Sequence, residues 1–72
     1  MQKGKDIFEQ FPTKVNGLHL HFQAGYEEKS QQFYAQAFLA RNDMYCNTAF
    51  SEISIEDAIL KLVKLLEHEN KN

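Results

Sequence analysis

An Asn-Gly pair at positions 16–17, followed at once by Leu18, Leu20, Phe22 and Ala24 alternating with His19, His21 and Gln23, constrains this chain more than any other stretch. Both central residues of a type I′ turn need positive φ, which Asn and Gly adopt at least cost. Strict alternation is the period of a strand buried on one face. Together they predict a hairpin that joins a short strand, Thr13–Val15, to a longer one with leucines facing a core and histidines facing solvent. A lone hairpin is marginal in water, so more strands and a covering layer must follow.

The covering layer is written near the C-terminus. Ser54 and Asp57 have capping-box spacing, in which side chains satisfy the orphan N–H groups of a helix start. Ile55, Ala58, Ile59, Leu62, Val63, Leu65 and Leu66 then recur at spacings of three and four, and Asp57 and Lys61 form an i,i+4 pair. A helix is expected from about Ile55, with Leu60 outside its apolar stripe. Residues 1–5 and 68–72 are expected to fray.

Between these elements, residues 27–41 mix helix formers with Phe33, Tyr34 and Phe38, which suit a strand. A helix would stack Phe33 on Ala37 and Tyr34 on Phe38. A strand from about Gln32 to Ala40 would place Phe33, Ala35, Ala37 and Leu39 on one face. The strand is preferred because the hairpin needs a partner. Asn42-Asp43 then turns the chain into a last strand, Met44–Phe50. Upstream, Asp6 and Glu9 repeat the capping spacing and Pro12 stops a helix, so a short helical turn carrying Ile7, Phe8 and Phe11 is expected. The expected fold is a single α+β domain: a three- or four-stranded antiparallel meander, one long C-terminal helix across it, and that N-terminal turn.

Chemistry is sparse. His19 and His21 share a strand face roughly 7 Å apart, near enough for both to reach one metal ion. Further ligands would have to come from Glu27, Glu28, Cys46 or His68, none at a characteristic spacing. His19, His21 and Glu27 partly resemble the cupin signature, but the chain is too short for that barrel. No cofactor is expected, and metal binding through His19 and His21 is the alternative reading. The sole cysteine, Cys46, has no local base or basic neighbours to activate it, and the glycines form no phosphate loop. No enzyme is expected.

A single cysteine also precludes an internal disulfide, which suits a reducing cytoplasm, and no segment has signal-peptide or membrane-spanning character. The formal charge of −2 has the wrong sign for nucleic-acid binding. Residues Phe33–Leu66, ending in "SIEDAILKLVKLL", are similar to the small sheet-and-helix domain of HicB-type antitoxins. The likeness covers less than half the chain and lacks the glycines that precede the family's helix. It implies a domain that binds and neutralises another protein.

The leading expectation is therefore a cytoplasmic, non-catalytic protein-binding module, a regulator or inhibitor. Its contacts would be Tyr34, Phe38, Tyr45 and Leu60, with an acidic group of Asp43, Glu52, Glu56 and Asp57 for a basic partner. The same apolar residues are expected to support a homodimer.

Overall fold

The computed structural model describes the backbone of residues 5–69 and the side chains of residues 9–69. The chain runs β1 (Lys5–Val15), β2 (Leu18–Glu27), β3 (Gln32–Leu39), β4 (Tyr45–Ser51) and α1 (Ile55–Glu69). The four strands form one antiparallel sheet in sequence order, with α1 packed on one face. This is the expected α+β meander and helix.

Each turn follows from its residues. Asn16 and Gly17 adopt φ of 52° and 82°, and Val15 faces Leu18 across the closed hairpin. At the β3–β4 turn Asp43 takes φ 60°, its N–H donates to the Leu39 carbonyl at 2.8 Å, and Asn42 Oδ1 accepts from the Met44 N–H at 3.0 Å. The short polar side chain of Asp or Asn tolerates this conformation better than most.

The N-terminal segment departs from expectation. Residues 5–15 form one strand of 11 residues, and the helical turn expected over Asp6–Phe11 is absent. A single helical turn fixes several dihedrals for one hydrogen bond. The extended form instead pairs with β2 from Lys5↔Glu27 to Val15↔Leu18, with one irregularity between Ile7 and Glu9. Pro12 is tolerated because β1 is an edge strand, where a missing N–H need not interrupt a ladder.

The core lies between sheet and helix. Leu20, Phe22 and Ala24 of β2, Ala35 and Ala37 of β3, and Ala49 of β4 meet Ala58, Leu62 and Leu66 of α1. Alanines dominate the sheet floor beneath α1, which lets the helix approach closely and leaves the filling to Leu62 and Leu66. Phe33 and Leu39 pack at the margin, as the strand reading of this segment requires. Leu65, expected in the stripe, is 43% exposed.

One buried hydroxyl ties β4 to α1. Ser51 Oγ donates to Asp57 Oδ2 at 2.6 Å and accepts from the N–H groups of Ile53 at 2.9 Å and Ser54 at 3.4 Å. Ser54 Oγ accepts from the Asp57 N–H at 3.0 Å, the expected half of the capping box. The return half runs through Ser51. At the other end of the helix, Asn16 Nδ2 donates to the Glu67 carbonyl at 3.4 Å, so the hairpin turn meets the last turn of α1. The helix continues through Glu69; residues 1–4 and 70–72 lie outside the described residues, and with them most of the expected fraying.

Candidate functional site

With the meander in sequence order, β4 is the last strand of the sheet, and its outer edge has no strand partner among the described residues. Lys61, Lys64, Leu65 and His68 follow one another at i, i+3, i+4 and i+7 along α1, a spacing that puts them on one side of a helix. With Thr48, Ala49 and Phe50 of β4 they line an open groove of about 600 Å³. Among the described residues, no acidic side chain lines it. Lys61 Nζ lies 3.4 Å from Asp57 Oδ2, whereas Lys64 makes no ion pair among the described residues. The Ser51 hydroxyl is the main cause holding the Asp57 carboxyl below the ordinary aspartate value of 3.8; partial burial opposes it, and Lys61 and Lys64 add to the lowering.

Backbone groups along the groove are partly engaged. The Thr48 N–H donates to Asn47 Oδ1 at 2.8 Å, while Asn47 Nδ2 donates to Glu69 Oε2 at 2.7 Å. Residues 48 and 50 share a parity on the strand, so their amides point the same way in an antiparallel ladder. The Asn47 side chain therefore engages the Thr48 amide and bridges the sheet edge to the helix end.

The sheet face turned away from α1 carries a second set of side chains. Across it, Pro12, His21, Phe38 and Tyr45 are successive cross-strand partners, and Gln10, Gln23, Gln36 and Thr48 form the adjacent row. His21 stacks on Phe38 with ring centroids 5.4 Å apart, and Phe38 meets Tyr45 edge-on at 5.9 Å. His21 Nε2 lies 2.7 Å from Asp43 Oδ1, and the Tyr45 hydroxyl is 2.6 Å from Thr48 Oγ1.

The residues expected to form one contact surface are separated by this arrangement. Phe38 and Tyr45 do lie together opposite the helix, as the strand reading requires. Tyr34 shares that face but is fully buried, and its cross-strand partner Gly25 has no side chain to compete for the space. Leu60 is exposed on the other side of the molecule, two residues from the inward Leu62 and hence on the outer side of α1. The apolar patch drawn from Tyr34, Phe38, Tyr45 and Leu60 is thus not one patch.

The acidic group divides as well. Asp43 precedes β4 and Glu52, Glu56 and Asp57 follow it, so a strand of roughly 20 Å separates them. Asp57 is occupied by Ser51 and Lys61, while Glu52 and Glu56 are exposed.

The proposed metal ligands also fail to converge. His19 is exposed beside its cross-strand partner Lys14, a cation that opposes metal binding there. Glu27 is at the far end of the same strand. Cys46, at an irregularity between Ala37 and Phe38 pairings, packs against the helix-side core with Sγ 3.7 Å from the Met44 carbonyl. Among the described residues no three of His, Cys, Asp and Glu are placed to hold an ion.

The groove itself was missed from sequence. Its signal was the 61, 64, 65, 68 spacing, obscured because Leu65 also fits the apolar stripe. Compared with family models, curated proteins and solved structures, the chain matches none. The similarity of Phe33–Leu66 to HicB-type antitoxins has no family match behind it.

Proposed function

We propose that this protein is a non-catalytic module that binds another protein at the β4 edge and regulates or inhibits it. The observation that carries this reading is where its exposed apolar side chains fall. Among the described residues, all the large hydrophobics most open to solvent but Leu18 lie between Met44 and Leu65. Tyr45 at 55% and Phe50 at 40% lie on the strand, Leu65 at 43% stands beside it on α1, and Ile53 at 75% follows its end. Aromatic and apolar anchors clustered beside an unpaired edge are what a protein partner can desolvate.

Two details support a binding role over catalysis. Thr48 and His68 both line the groove, but the Thr48 hydroxyl is engaged with Tyr45. Asp57, whose carboxyl is held below its ordinary range, serves the helix cap. A cytoplasmic setting belongs to the same proposal and is supported by the free thiol of Cys46. No helix among the described residues is long and apolar enough to cross a membrane.

The test is retention of partners by the tagged full chain, compared across variants. Phe50→Asp and Ile53→Asp should each lose a partner that the parent and His19→Asp retain. A partner kept by both β4-side variants and lost by His19→Asp would move the contact to the open sheet face and overturn the proposal.

A further inference from the structure

Building on that reading of the β4 edge, we infer that the partner presents an extended segment of alternating acidic and apolar residues, which adds to the sheet as a fifth strand beside β4. The neighbours of an added strand are set by the geometry of a sheet. An incoming strand lies about 4.8 Å from β4, and its side chains alternate between the two faces. Those on the helix side enter the groove beside Lys61, Lys64 and His68. Those on the other side meet Phe50 and Tyr45, which β4 presents away from the helix. One set of positions therefore meets the two lysines and the other meets aromatics. Main-chain pairing supplies the affinity in such additions, and the alternating side chains supply the choice of partner.

Charge selects between occupants. The whole chain is formally −2, yet the groove lining carries lysines and no carboxylate. A second copy pairing symmetrically through β4 would bring Lys61 and Lys64 of both molecules to one seam, where like charges repel. A segment bearing Glu or Asp on alternate positions meets the opposite sign.

The probes are two blocked synthetic octapeptides, one alternating Val and Glu and one alternating Val and Lys, added to the isotope-labelled full chain. The Val-Glu peptide should slow hydrogen exchange at the Phe50 amide and shift neighbouring β4 signals. Lys64→Glu should weaken its binding by roughly threefold, and Lys64→Arg should restore it. Both substitutions are at an exposed helix position, so the fold is retained and serves as its own control in the same spectra.

Absence of Val-Glu binding, equal or tighter binding of Val-Lys, or Val-Glu binding that leaves the Phe50 amide unprotected would each overturn the inference. A doubled mass with Phe50 protected before any peptide is added would overturn it in favour of a second copy. These failures differ from failure of the functional reading. Loss of a natural partner in Phe50→Asp, alongside a negative peptide result, would keep the β4 contact and remove only strand addition.

Discussion

Ser51 carries more of the local structure than its size suggests. It is 1% exposed, and its hydroxyl serves one carboxylate and two backbone amides where β4 passes into α1. Ser51→Ala would leave buried groups without partners and should cost about 1–3 kcal/mol in urea unfolding. The same bond makes part of the stability acid-sensitive. Because the folded state holds the Asp57 carboxyl below 3.8, the unfolded chain takes up its proton first as pH falls. The contribution is complete above the ordinary aspartate range and disappears as pH drops through the lower folded value. Asp57→Asn should flatten stability against pH across that window, measured by thermal melting at successive pH values. The histidines separate by environment. His19→Ala should stay within about 0.5 kcal/mol, as exposed substitutions usually do. His21→Ala also loses its stack on Phe38 and its contact with Asp43, and should cost about 0.5–1.5 kcal/mol. Equal melting temperatures for the two variants would contradict that distinction.

The helix shows where periodicity succeeds and where it stops. Leu62 is fully buried over the alanine floor, so Leu62→Ala should cost about 2–5 kcal/mol. Leu60→Ala and Leu65→Ala should each cost much less, and chemical denaturation of the three variants provides the ranking. Spacing placed Leu62 and Leu60 correctly because they lie near the centre of the stripe and opposite it. Leu65 lies at the stripe's margin, where burial depends on whether a strand sits beneath, and β4 is the last strand. The strands were readable for the same local reasons: alternation in β2, aromatics and alanines in β3, and the turn residues Asn16-Gly17 and Asn42-Asp43. Residues 5–12 were misread because their capping spacing is a local signal. It lost to a ladder made with β2, a partner whose length is apparent only when Leu18–Glu27 is seen as one strand.

The proposed binding surface was harder to see in sequence, since a surface joins residues from elements whose relative placement alternation alone does not supply. Tyr45 falls on the face of Phe50, opposite the helix, only because the irregularity between the Ala37 and Phe38 pairings shifts the register, which plain alternation along β4 does not reveal. Lys61, Lys64 and His68 gain meaning only once α1 is known to lie beside the β4 edge. Phe38 and Tyr45 face one way and Leu60 the other, so the surface that suggested a homodimer is divided between opposite sides. Sedimentation at micromolar concentration should accordingly give a mass near 8.4 kDa, and twice that value would restore self-association. The order of the strands has a further consequence, for the order of folding. Every strand pairs with its neighbour in sequence, and the helix, last in the chain, closes over strands already adjacent to it. Strand pairing needs only hairpin closures, each between neighbours in sequence, whereas α1 must return across β3 and β4 to reach Leu20 and Phe22, so the sheet can form ahead of the helix contacts. The apolar sheet face made by Leu20, Phe22, Ala35, Ala37 and Ala49 is therefore the surface left bare in a sheet-first intermediate, until α1 settles on it, while the β4 edge stays open in the folded state as well.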